Sequence, residues 1–164
     1  MKLPINPNIA LTSPRLMFCF NREVPTTSRN LEQGAIILVN KYSNTKFAAT
    51  SGLPGYQYIE ASKLKGKGRA PTCKQANIKS YLVATNPLAM LNIKGVNGNF
   101  YPITPFIVSV DGCRRGDLGI HRDANVPGSA GCLVITISDH WFKFEEAMKA
   151  LADAKILSIP LFIS

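Results

Sequence analysis

A chain of 164 residues, 46% of them hydrophobic, is long enough for one compact domain with a single core and too short for two. It holds no apolar run of membrane-spanning length, and Met1-Lys2-Leu3-Pro4-Ile5-Asn6-Pro7 lacks the continuous apolar segment of a secretory signal. The net charge of +9 is uneven: residues 1–110 carry thirteen Lys/Arg against three acids, and residues 111–164 carry six against seven.

Residues 1–34 contain Pro4, Pro7, Pro14 and Pro25 and read as an N-terminal extended arm with one short strand at 16–20. Residues 35–164 read as a single domain. Strands are predicted at 35–41 and 46–50, joined at Ser43-Asn44 as a hairpin. A Gly/Pro turn follows at 51–58. The loop after it holds the densest basic stretch, Lys63, Lys65, Lys67, Arg69 and Lys74. Such a stretch either keeps the surface solvated or attracts a polyanion. There is no aromatic stacking platform and no basic helical face, so nucleic acid is not predicted as the partner.

Further strands are expected at 81–85 and 105–110, the latter ending at Asp111-Gly112. Asn97-Gly98 is a hairpin-turn signal between 90–93 and 100–103. Residues 132–137 read as a short buried strand. One helix follows, capped by Ser138 or Asp139, with Trp141, Phe144, Met148 and Leu151 on one face. A strand at 156–163 is expected at a sheet edge because Pro160 lacks an N–H. The fold class is therefore mainly β with one substantial helix.

The chemistry concentrates between Gly119 and Ile135. His121 closes an apolar stretch, a loop with Pro127-Gly128 follows, and Ser129-Ala130-Gly131 delivers Cys132 to a Leu-Val-Ile strand. A thiol becomes a strong nucleophile when a base takes its proton, so Cys132 and His121 on adjoining strand ends predict a thiolate–imidazolium pair. Ser129 and Gly131 shape the turn, and backbone N–H groups around Gly131 and Cys132 are candidate oxyanion donors. Arg115 is a candidate fork for a substrate carboxylate, and Asp123 a candidate to orient His121 or meet substrate. His140 is expected to cap the helix or stay exposed.

The other cysteines are Cys19, Cys73 and Cys113, and their wide spacing demands no disulfide. A zinc reading from Cys113, His121, Cys132 and His140 lacks any anchoring CxxC or HxxxH pair. No papain-like signature surrounds Cys132, and Arg115-Gly116-Asp117 spells an integrin tripeptide without any other adhesion signal.

The segment from His121 to Cys132 resembles the catalytic segment of the YkuD-type L,D-transpeptidase family. Weaker likenesses are Ala48-Ala49-Thr50-Ser51-Gly52, Gly66-Lys67-Gly68-Arg69-Ala70-Pro71 followed by residues 80–85, and Arg115-Gly116-Asp117-Leu118-Gly119-Ile120-His121. Together they cover roughly residues 35–137. The His121–Cys132 loop is shorter than in typical members, and Ala130 stands where they have a histidine, a pattern similar to divergent secreted or phage-borne relatives.

The resemblance implies the family's mixed β-sheet sandwich. It also implies acyl transfer on peptidoglycan stem peptides by Cys132 and His121, with no metal or organic cofactor. The basic loop, including Lys63, Lys65, Lys67 and Arg69, would then meet anionic cell-wall polymer. Hydrolysis is expected over cross-linking, at a bacterial wall reached by lysis, secretion or a virion. The alternative is a structural or wall-binding component of a phage particle or similar assembly, with a weak or inactive site.

Overall fold

The computed structural model describes residues 13–20 and 31–164; Pro4, Pro7 and Pro25 of the expected arm lie outside them. Among the described residues the strands are β1 (Arg15–Phe20), β2 (Gly34–Val39), β3 (Asn44–Ser51), β4 (Tyr81–Ala84), β5 (Leu88–Met90), β6 (Gly98–Thr104), β7 (Ile107–Val110), β8 (Cys113–Gly116), β9 (Gly119–Arg122), β10 (Leu133–Ile135) and β11 (Ser158–Ile163). A 3-10 turn covers Ile59–Lys63, and the helix α1 covers Ser138–Asp153. The fold is mainly β with one helix. No helix among the described residues is long and apolar enough to cross a membrane.

Nine strands form one mixed sheet in the order β4-β11-β1-β2-β3-β10-β9-β6-β5. Pairing of β4 with β6 closes this sheet into a barrel and leaves β5 outside the ring. Strand alternation sends every second side chain inward. Leu16 and Phe18 of β1, Ile36 and Leu38 of β2, Tyr81 and Val83 of β4, and Ile159 and Leu161 of β11 thereby join one buried cluster. β1 falls within the segment expected to be an arm. It nevertheless lies between β11 and β2 and is part of the barrel wall.

Strand β11 is interior rather than an edge, which corrects the expectation drawn from Pro160. The Thr85 N–H bonds the Leu157 carbonyl, so alternation makes Pro160 opposite Leu82 a non-bonded pair toward β4. On the other side, pairing with β1 begins at Leu161, one residue beyond the proline. The missing donor is therefore needed by neither neighbour.

Helix α1 places Trp141, Phe144 and Met148 in the barrel core. Phe144 meets the rings of Phe47, Tyr101 and Trp141 with centroids 5.4, 5.2 and 5.7 Å away. The predicted cap is not made. Ile137 occupies the N-cap position without a side-chain bond, Ser138 is already helical, and Asp139 sits in the first turn, where its charge suits the helix dipole. His140 neither caps nor stays free: its Nδ1 accepts the Ala48 N–H at 2.9 Å and ties α1 to β3.

The β7–β8 hairpin turns at Asp111-Gly112, with Val110 opposite Cys113 and Asp111 at φ +48°. Asn97-Gly98 does not make the predicted two-residue turn. β5 ends at Met90, opposite Gly98, and residues 91–97 form a longer loop.

Replacing Phe144 with alanine should destabilise the domain by about 3–5 kcal/mol, the range for deleting a buried phenyl ring. Urea unfolding of wild type and variant measures this through the midpoint shift.

Candidate active site

His121 lies on β9 and pairs in register with Val134 of the parallel neighbour β10. Cys132 immediately precedes β10, two residues before Val134. Alternation therefore puts its side chain on the same sheet face as His121, away from Ile120 and Leu133 in the core. Both residues line one cavity of about 350 Å³ with Ser129, Ala130, Gly128, Leu53, Val126 and the Lys94-Gly95-Val96 segment. Cys132 and Ala130 also line a second cavity of about 470 Å³, with Lys65, Arg114, Arg115, Asp117, Leu118 and Ile107. The thiol stands where the two cavities meet.

The imidazole is fixed by a backbone group. Its Nδ1 lies 2.8 Å from the Arg122 carbonyl oxygen. A carbonyl only accepts, so Nδ1 carries the proton and Nε2 of the neutral ring keeps a lone pair. Asp123 is thus not the group that orients His121; its N–H bonds the Ile135 carbonyl and anchors the loop after β9. The Phe100 ring stacks on His121 at 6.1 Å with 22° between planes. A side chain at Gly119 would run into that ring, so the glycine makes the stack possible.

The Cys132 thiol donates to the Asp117 carbonyl oxygen at 3.8 Å. Burial pushes this thiol up to about 11; the Gly119 N–H and the Arg115 cation pull it down, and the Asp117 carboxylate adds to the rise. Burial likewise holds His121 below the ordinary imidazole range, against the Arg122 carbonyl bond. Burial therefore disfavours the charged form of both groups. The expected thiolate–imidazolium pair would meet this desolvation penalty on both of its charges.

Five hydrogen bonds set the turn that presents Cys132. Ser129 Oγ accepts the Gly131 N–H at 3.2 Å and donates to the Cys132 carbonyl at 2.6 Å. Ser51 Oγ accepts the Ala70 N–H at 2.8 Å and donates to the Gly131 carbonyl at 3.3 Å. The Ser129 N–H reaches the Gly52 carbonyl at 3.2 Å. Gly131 sits at φ +129°, open only to glycine, and a Cβ there would strike the Arg115 guanidinium. Gly131 therefore serves the turn, and its N–H is taken by Ser129 rather than aimed at an oxyanion.

Arg115 is buried, which also hides the guanidinium of the integrin-like tripeptide. Its Nη1 donates to the Arg69 carbonyl at 3.3 Å, and its Nη2 donates to the carbonyls of Gly68 and Ala130 at 3.1 and 3.2 Å. The fork expected to clamp a substrate carboxylate is instead a brace that joins β8, the 68–70 segment and the cysteine turn. Burial lowers the Arg115 guanidinium from its usual range, against the attraction of Tyr81 and Cys132.

Arg69 also leaves the predicted basic surface. It is buried, lies over the Phe20 ring at 4.5 Å and donates through Nη2 to the Ser164 carbonyl at 2.9 Å. Lys63, Lys65 and Lys74 are exposed, whereas Lys67 covers the Tyr56 ring at 4.6 Å. Cys113 is exposed at the β7–β8 turn and His140 is bonded to β3. Among the described residues no three His, Cys, Asp or Glu side chains converge to hold a metal ion.

Sequence reasoning missed Ser51 and Phe100. Ser51 closes a strand that reads only as a turn entry, and nothing in its neighbourhood signals a bond to a residue eighty positions away. Phe100 is placed by its register opposite the strand of His121.

No family model and no curated protein matches the chain. Among solved structures it is similar to Bd1075 of Bdellovibrio bacteriovorus, with a TM-score of 0.44 and 14% identity over 98% of this chain. The chain spans 50% of the length of that protein.

Arg115→Met should leave three carbonyls without their donor and cost about 2–4 kcal/mol, since a charged hydrogen-bonding group contributes about 1.5–3 kcal/mol and partners stranded in the interior add to that. Arg115→Lys should not recover the loss, because a single ammonium cannot span the three acceptors of a planar fork. Thermal unfolding of the two variants beside wild type checks both statements.

Proposed function

We propose that the protein is a cysteine-dependent acyl-transfer enzyme of the L,D-transpeptidase type that processes peptidoglycan stem peptides at the bacterial wall. One observation carries this reading: Cys132 and His121 open into the same cavity from adjacent parallel strands, with Nδ1 pinned and Nε2 left to act as base. The turn around Cys132 is braced by hydrogen bonds from Ser129, Ser51 and Arg115, which is the preorganisation a nucleophile needs.

Nε2 of His121 takes the Cys132 proton as Sγ attacks the amide carbon. Proton transfer accompanies attack, because burial disfavours a lasting charge on either partner. The N–H of Cys132 itself is the donor assigned to the tetrahedral oxygen, as that of Gly131 is engaged. The imidazolium then protonates the leaving amine, the carbon–nitrogen bond breaks, and a thioester remains on Sγ. Water releases the acyl group in hydrolysis, and another amine releases it in exchange. Lys65 and Arg114, at the second cavity, suit a substrate that carries carboxylates on its acyl side.

The raised thiol is also the observation that favours the second reading, a component of a phage particle or similar assembly that keeps the scaffold without turnover. Peptidoglycan digestion followed by mass spectrometry separates the two. Wild type should release stem-peptide fragments, His121→Ala should lose about 10²–10⁴-fold in rate, and Cys132→Ala should be inactive. Equal processing by wild type and Cys132→Ala overturns the enzyme reading, and so does inactivity of a folded wild type.

The neutral pair predicts a pH profile. The thiolate is the reactive form, so alkylation of Cys132 by iodoacetamide should climb about tenfold per pH unit from neutrality toward about 11. Peptide mapping follows Cys132 apart from the exposed Cys113. A plateau reached below pH 7 would show an ion pair already formed and overturn the neutral resting state.

A further inference from the structure

We propose that the cleft between α1 and β6 is a second binding site, for a primary ammonium carried on an apolar stem, as in a lysine side chain. It shares no residue with either cavity at Cys132.

The spacing of residues builds the cleft. Phe142, Glu145, Glu146 and Lys149 recur at the i, i+3, i+4 and i+7 positions of α1 and so lie along one side of the helix. Asn99 and Tyr101 stand two apart on β6, on the face opposite to Phe100, whose ring stacks on His121. These two sets, with Pro87 beyond β4, enclose a cavity of about 400 Å³.

Its polar groups are unevenly satisfied. Tyr101 is 2% exposed, and its ring is held by Trp141 and Phe144 with centroids 5.9 and 5.2 Å away. Its hydroxyl bonds none of the described residues and is not sealed in the interior, so it opens on the cleft. Burial, with the Glu145 carboxylate adding to it, raises this hydroxyl above its ordinary range and keeps it protonated. A hydroxyl left without a partner at the edge of a core costs stability until something meets it. Glu145 is half-buried and held in place. Its Oε1 accepts Asn99 Nδ2 at 2.7 Å, and no described residue bonds its Oε2. Lys149 does not neutralise the two glutamates, because its Nζ is paired with Asp153 Oδ2 at 2.7 Å.

Acceptors therefore outnumber free donors in the cleft, and two consecutive carboxylates face it in a chain of net charge +9. A ligand that fits brings donors and positive charge. An ammonium has three N–H donors and no acceptor. It can bond Glu145 Oε2 and the Tyr101 oxygen together, while Glu146 adds attraction. Its stem lies on Pro87 and the exposed Phe142 ring, whose face also attracts a cation. A neutral sugar finds the same acceptors but brings no charge to them.

The probe is N-acetyl-lysine N-methylamide, titrated into isotope-labelled protein and followed by NMR. Amides around Asn99, Tyr101 and Glu145 should shift and saturate. N-acetyl-norleucine N-methylamide has a similar stem without the charge and should bind about tenfold more weakly. Cadaverine run beside them tells a small free amine from a peptide side chain as the source, by which of the two binds more tightly. Glu145→Gln keeps an acceptor for Asn99 and removes the charge, so it should weaken the lysine derivative about tenfold. Tyr101→Phe should weaken it about threefold without lowering the melting temperature, since the hydroxyl bonds nothing in the fold. Asp139→Asn, on the same helix but outside the cleft, should bind as wild type and controls for overall charge. Equal binding of the lysine and norleucine derivatives, binding that survives Glu145→Gln, tighter binding of N-acetylglucosamine, or shifts that never saturate would each overturn the ammonium site. A Tyr101→Phe variant that melts lower and binds as wild type would do so as well.

Discussion

The guanidinium of Arg115 holds together parts of the chain that have no other reason to meet. It leaves the β7–β8 hairpin, enters the interior and bonds the carbonyls of Gly68, Arg69 and Ala130. Two of these belong to the segment that crosses behind the site, and the third belongs to the turn that presents the thiol. Carbonyls buried in such a loop crossing cannot reach water, and a planar cation with several donors satisfies three of them at once. The same cation lowers the cost of a negative charge on Cys132. Support and electrostatics are therefore supplied by one side chain, and neither could be altered alone.

Around that brace, burial sets the electrostatics of the site. Desolvation dominates the proton affinity of both the thiol and the imidazole, and it drives each toward its uncharged form. Burial that disfavours the thiolate also slows oxidation of Cys132, since the thiolate is the species that oxidants attack. The thiol stands at the junction of two cavities, which open on it from two sides.

Much of this was legible in the sequence because it is local. The hairpin of β2 and β3 follows from alternation and a polar turn, and α1 follows from Trp141, Phe144 and Met148 at helical spacing. Cys132 and His121 stood out through the small residues between them. What escaped was set by tertiary placement. Pro160 signals an edge only if one assumes that both neighbours need its N–H, and the register of β11 removes that need. Arg69 and Arg115 look like surface charge in any local window, yet each is buried against carbonyls contributed by distant segments. His140 reads as a helix-end residue, and its bond to Ala48 appears only when α1 is laid on β3. Burial of polar side chains is a property of the assembled fold, and a linear pattern carries no trace of it.

The closure of the barrel through β11 has a consequence for the order in which this protein can be made. Parallel pairing of β11 with β1 joins residues far apart in sequence; the Ser164 hydroxyl meets the Phe18 carbonyl across a separation of 146 positions. A ribosome releases β1 early and β11 late. Until residues 158–163 emerge, β1 and β4 each present an unpaired strand edge, the hazard that slow, non-local β folds carry. Cys132 is translated before that moment, but the 68–70 segment behind its turn is tied to Ile163 and Ser164 through Cys73 and Arg69. The Cys132 turn thus reaches its braced geometry only after synthesis has passed β11, and a nascent chain halted earlier carries the thiol without that support.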